Sequence, residues 1–143
     1  MILVKEQLDF KLISSKIHPS GRYILLEVEI QDLPFVLLNI YAPNKCAEQC
    51  VFFSKLSEEL KDLVTDADKS VVVGGDFNVI LDQYLDGRGG NKKRKDSVQY
   101  HDVEVMIIEH DLVDMWRIRN PTDTRFTWRQ KSPLIQRRLD YCV

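Results

Sequence analysis

Cysteine is scarce in this chain and does not come in pairs. Cys46, Cys50 and Cys142 are odd in number and lack the clustered spacing of a metal site. That excludes a disulfide-built fold and reads as reduced thiols in an intracellular protein. Long apolar runs are also missing. No stretch approaches the ~20 residues that span a bilayer, so no membrane partner is expected. The first residues, Met-Ile-Leu-Val-Lys-Glu, show no basic region followed by a long apolar one, and no secretory signal is read there. There is no internal repeat, low-complexity tract or clear linker. Histidine is limited to His18, His101 and His110, each read as a surface residue.

What remains is an ordinary globular composition. The 143 residues suffice for one domain with a core, and 44% hydrophobic with 29% charged residues fits a soluble protein. A net charge of −2 hides an asymmetry. Residues 1–87 hold 8 Lys/Arg against 14 Asp/Glu, while residues 88–143 hold 12 against 8. Such asymmetry is compatible with a phosphate-rich partner on one side, although most basic loops are merely solvated. Its basic run, Lys92-Lys93-Arg94-Lys95, fits a DNA-backbone contact, a nuclear-localisation run or, by default, a solvated loop.

The periodicity predicts a mixed α/β domain with helices covering a sheet. Residues 2–4 read as a short strand. Residues 22–30 alternate, with Ile24, Leu26, Val28 and Ile30 on one face, and residues 35–41 are almost wholly apolar. With a turn at residues 31–34, these two runs form a hairpin. An amphipathic helix follows at about 47–64, then a buried strand at 71–73. Residues 82–96, polar and glycine-rich, read as a long loop. A second helix spans about 98–110, with Ser97 as N-cap and Val98, Val105, Ile108 and Leu112 as its stripe. Residues 125–128 and 139–143 read as strands joined by Ser132-Pro133.

The stretch that carries most chemistry is Val71-Val72-Val73-Gly74-Gly75-Asp76-Phe77-Asn78. If the extended backbone reaches Asn78, Asp76 and Asn78 point the same way and Phe77 points into a core. The glycines remove bulk where something approaches the backbone closely. A carboxylate and a carboxamide side by side at a strand end can orient a water and bind an oxyanion. The competing reading is a turn in which both side chains cap backbone groups.

Three further segments also lie at expected strand ends: Asn39-Ile40-Tyr41-Ala42-Pro43-Asn44, Arg125-Phe126-Thr127-Trp128 and Arg138-Leu139-Asp140-Tyr141. In order and spacing, the four segments resemble the endonuclease/exonuclease/phosphatase superfamily with its DNase I-like fold. The stretch from Asp111 to Arg117, then Asn120-Pro121, is similar to the apurinic-type endonuclease domain of LINE-type retroelements. The resemblance covers nearly the whole chain. It implies a two-sheet β-sandwich flanked by helices, incomplete at both ends of residues 1–143. It also implies magnesium-dependent (or manganese-dependent) phosphodiester hydrolysis. In an intact element, nicked DNA would prime reverse transcription, with DNA and the reverse transcriptase domain of the same polyprotein as partners and the nucleus as the place of work. By the same resemblance Tyr41, Asp76, Asn78 and Asp140 are the catalytic candidates. Asn44, Thr127 and Arg138 are the substrate-side ones.

Two departures accompany it. The Gln-Glu-Thr motif with the metal-binding glutamate and the Ser-Asp-His motif with the catalytic histidine do not occur in this sequence. The expectation is a fragment that is inactive by itself, with no complete metal site. The alternatives are a non-catalytic remnant or nucleic-acid-binding module, and a phosphatase-type or sphingomyelinase-like member of the same superfamily. Asp140 could equally pair with Arg137 or Arg138.

Overall fold

The computed structural model describes residues 1–64, 69–90 and 98–143, with backbone alone for residues 98–100. The elements in order are β1 (Phe10–Ile17), β2 (Tyr23–Ile30), β3 (Leu33–Tyr41), α1 (Cys46–Leu63), β4 (Ser70–Asp76), β5 (Gly87–Arg88), α2 (Val98–Glu109), α3 (Met115–Arg119), β6 (Trp128–Gln130), β7 (Ile135–Arg137) and β8 (Asp140–Cys142). They form a five-stranded sheet in the order β1-β2-β3-β4-β8 and a three-stranded sheet in the order β5-β7-β6. The mixed α/β class read from the sequence holds.

The β2–β3 hairpin turns on two residues, Gln31 and Asp32, both left-handed at φ 52° and 62°. That handedness matches the natural twist of paired strands. The turn is tighter than the sequence suggested, because Leu33 and Pro34 already pair with Ile30 and Glu29. Helix α1 then carries the chain back so that β4 can run parallel to β3. Its inner stripe of Phe52, Phe53, Leu56 and Leu60 packs on Tyr23, Leu25, Val36, Leu38, Ile40 and Val73 of the sheet, and α2 adds Val103 and Met106. Leu12, Ile17, Ile24, Leu26, Leu37 and Val72 share the other sheet face, where Leu12 and Ile17 are exposed.

Several expectations give way here. Residues 2–4 pair with no strand; the Met1 ammonium donates to Asn39 Oδ1 instead. The true edge strand is β1. A bulge between Leu12 and Ser14 breaks its two-residue period, which hid it in the sequence. Gly87 and Arg88, read as loop, pair with Arg137 and Gln136 in the second sheet. The buried stripe of α2 runs through Val103 and Met106, whereas Ile108 is exposed. Residues 125–127 are not strand, and β6 begins at Trp128. Ser132-Pro133, with a cis peptide bond, joins β6 to β7 rather than leading to β8. Ser97 and the Lys92–Lys95 run lie outside the described residues.

Candidate functional site

The site is built on the ends of three adjacent strands. Tyr41 closes β3 and is in register with Asp76 at the end of β4, which is in register with Asp140 at the start of β8. Residues in register share a sheet face, so the phenol and the two carboxylates form one row. Val73 and Val143 exchange both backbone hydrogen bonds at 2.8 Å. By the alternation of an antiparallel ladder, Asp76 and Asp140 are then a non-hydrogen-bonded pair, the kind with closer side chains.

Backbone geometry makes this row possible. Gly75 has φ 129°, and a Cβ there would lie 2.1 Å from the carbonyl oxygen of Ile40. What approaches Gly75 so closely is thus the neighbouring strand, so the glycine serves sheet closure. Immediately after Asp76 the strand stops. Phe77 is fully buried against Phe53 and Tyr141. Asn78 takes a left-handed conformation at φ 51°. The extended backbone therefore does not reach Asn78, and the two side chains do not stand in parallel. Instead the Asn78 N–H donates to Asp76 Oδ1 at 2.9 Å, and Asn78 Nδ2 donates to the Ala42 carbonyl at 2.7 Å. The Ala42 N–H in turn donates to the Asp76 carbonyl at 2.8 Å. This is the turn-capping alternative, and it fixes the Asp76 carboxylate in place.

The electrostatics follow from this packing. Burial pushes the Asp76 carboxyl above its usual range, the Asn78 N–H opposes the rise, and Asp140 adds to it. Tyr41 is half exposed, with the Arg22 guanidinium 5.2 Å from its ring centre. Asp140 and Asn44 are exposed, and Asp140 forms no ion pair with Arg137 or Arg138 among the described residues.

Two substrate-side candidates occupy different positions from those expected. Thr127 Oγ1 accepts the backbone N–H groups of Leu139 at 3.0 Å and Asp140 at 3.3 Å, so it anchors the start of β8. Arg138 lies in the interior, only 2% exposed. Its Nε sits 3.0 Å from Asp86 Oδ1, its Nη2 pairs with Asp114, and its guanidinium stacks between Tyr141 and Trp116 at 4.4 and 4.8 Å. Arg117 completes the cluster on Asp86. The row thus gathers Tyr41, Asp76 and Asp140, with Asn78 locked behind it. Arg138 is not part of it. Sequence reasoning missed Gln49, which bonds to both site loops. The available signal was a polar residue on the α1 stripe, one turn before Phe52 and Phe53.

No family model matches the sequence. A stretch of 108 residues is 33% identical to a Xenopus laevis protein called transposon TX1 uncharacterized 149 kDa protein, covering 76% of this chain and 8% of that one. The structure is similar to TDP2 from C. elegans, with TM-score 0.63 and 19% identity, covering 93% of this chain and 40% of the other. It is also similar to the endonuclease domain of TRAS1, a telomere-specific non-LTR retrotransposon, with TM-score 0.54 and 11% identity, covering 96% and 56%. The chain thus spans a small part of the transposon protein and about half of these solved chains.

Proposed function

We propose, for a chain whose fold is the DNase I-like fold of the endonuclease/exonuclease/phosphatase superfamily, that residues 1–143 are part of a retroelement-type DNA endonuclease domain and furnish one wall of its phosphodiesterase site. The observation that carries this reading is the register-matched row of Tyr41, Asp76 and Asp140. Likeness to a transposon protein and to a retrotransposon endonuclease supports the same direction.

In this reading Asp76 handles the proton. Its raised pKa brings the carboxyl closer to the working pH of a general acid or base. The Asn78 N–H holds one oxygen at 2.9 Å, which leaves the other for a water or a leaving oxygen. Tyr41, half exposed beside Asp76, offers its hydroxyl to a phosphate oxygen. Asp140 adds to the upward push that burial gives the Asp76 carboxyl, and would orient a histidine supplied from elsewhere in the domain. Magnesium or manganese is the ion implied by the resemblance, and such an ion would supply charge stabilisation of the phosphorane-like transition state. Among the described residues no three His, Cys, Asp or Glu side chains converge to hold one. Asp76 and Asp140 offer two carboxylates, with no third among the described residues, so by themselves they do not complete a metal site. DNA as substrate, a reverse transcriptase domain as covalent neighbour and nuclear action belong to the same proposal. No described helix is long and apolar enough to cross a membrane.

The test is nicking of supercoiled DNA in magnesium. The 143 residues alone should not nick. The same chain carrying its natural flanking sequence on both sides should nick, and Asp76→Ala should lower that rate by about 10²–10⁴-fold. Undiminished nicking by Asp76→Ala would overturn the role given to Asp76.

A second reading is a nucleic-acid-binding module without catalysis. It is favoured by the engagement of the Asn78 N–H and Nδ2 in turn hydrogen bonds. Salt-dependent DNA binding by the flanked protein, with no cleavage in magnesium or manganese, would select it.

A further inference from the structure

Gln49 breaks the pattern of its helix. It sits on the inner stripe of α1 and is only 1% exposed, where leucine or methionine would fill the space. Its Nε2 donates to the carbonyl of Pro43 at 2.6 Å and to the carbonyl of Asn78 at 3.2 Å. Pro43 belongs to the loop that follows Tyr41, and Asn78 to the turn that follows Asp76. One buried amide therefore ties both loops to the same point on the helix. Gln49 Oε1 is buried without a partner among the described residues. A buried amide depends on hydrogen bonds to offset its desolvation, and the described side-chain bonds of Gln49 are the two that its Nε2 donates. Its use lies on the donor side.

The loops also hold each other, through the Ala42 N–H on the Asp76 carbonyl and Asn78 Nδ2 on the Ala42 carbonyl. Those bonds fix the loops relative to one another. Among the described side-chain hydrogen bonds, those of Gln49 tie the pair to the helical layer, beside the packing of Phe77 on Phe53.

We propose that Gln49 is a positioning residue for the candidate site, setting where the Tyr41 loop and the Asp76 turn stand relative to the sheet. The proposal rests on the functional reading above for its purpose, but its geometry is testable without activity. The experiment is residue-resolved hydrogen exchange on the 143-residue chain, comparing Gln49→Met with the parent. Ser57→Ala serves as control, because it removes a part-buried polar contact of α1 (to Glu109 at 2.7 Å) two turns along the helix from Gln49. Gln49→Met should speed exchange of the Ala42 and Asn78 amides at least tenfold relative to the Leu25 and Leu38 amides of the core strands. Ser57→Ala should change all four in proportion. Gln49→Leu gives a second variant of similar volume should the methionine variant not fold. Proportional change in the Gln49 variant would reduce Gln49 to a core residue and overturn the proposal. In the flanked protein, Gln49→Met should lower kcat about tenfold with KM unchanged. Absence of nicking by the unsubstituted flanked protein would count against the functional reading, while the exchange ratio still decides the role of Gln49.

Discussion

Replacing Arg138 with methionine separates two roles for one residue. The resemblance counts Arg138 among the substrate-side residues, whereas the structure buries it. Its side chain is 3% exposed, wedged between Asp86 at 1% and Asp114 at 16%. Burial pushes the Asp86 carboxyl up, and the guanidinium groups of Arg138 and Arg117 oppose that rise. In Arg138→Met the apolar stem is conserved and contacts with Tyr141 and Trp116 persist in part. The charge is lost, leaving Asp86 with Arg117 and the Asp82 N–H, and Asp114 with the Arg117 N–H but without its ion pair to Arg138. Removing one partner of a buried ion pair costs about 3–5 kcal/mol. Against a typical domain stability of about 5–15 kcal/mol, that is a large share. Urea denaturation followed by circular dichroism measures it, and a cycle with Asp114→Asn isolates the pair, with an expected coupling of about 0.5–3 kcal/mol. A surface phosphate contact behaves differently: its loss changes stability by about 0.5 kcal/mol or less and weakens DNA binding. A stability loss below about 1 kcal/mol, together with weakened binding, would refute the interior assignment.

Two other substitutions follow from the same geometry. Gly75→Ala puts a Cβ 2.1 Å from Ile40 O at φ 129° and should prevent folding or cost about 4 kcal/mol or more. Gly74→Ala meets only Tyr141 O at 3.8 Å and should be neutral to slightly stabilising, and paired thermal melts compare the two. Asp76→Asn should raise the melting temperature at neutral pH. Burial, with Asp140, raises the folded pKa of Asp76 above its unfolded value. The parent chain then loses stability as pH climbs from the ordinary carboxylate range through that raised value. The gain should vanish below about pH 3.9; a gain independent of pH would show that the charge is not its source.

The elements legible in the sequence were those with unbroken periods. Tyr23–Ile30 alternates, Leu33–Tyr41 is apolar but for Asn39, and Cys46–Leu63 carries a helical stripe, so each announces itself. Strand β1 did not, because one bulge residue moves Ser15 and Ile17 onto the face that Leu12 had started. The three-residue strands β6 and β7 are too short for any period. Local motifs singled out Tyr41, Asp76 and Asp140 as candidates, whereas the register that aligns them was not legible. Nothing near Asp76 in the sequence says that Asp140 will face it across β4 and β8. The left-handed backbone at Asn78 turned an expected side-by-side pair into a cap, a choice that depends on Ala42 and Gln49 being in place.

The strand pairing that creates the row also sets its order of assembly. Tyr41 and Asp76 belong to one strand–helix–strand unit whose contacts are comparatively local. Asp140 arrives on β8, the last described strand, across a much longer closed loop. Loop closure of that kind comes late in folding. During synthesis the hairpin and α1 can be in place while Asp76 still lacks its neighbour. Conversely, the row lasts only while β8 stays paired with β4, and the burial of Tyr141 and Val143 in the core is what holds it there.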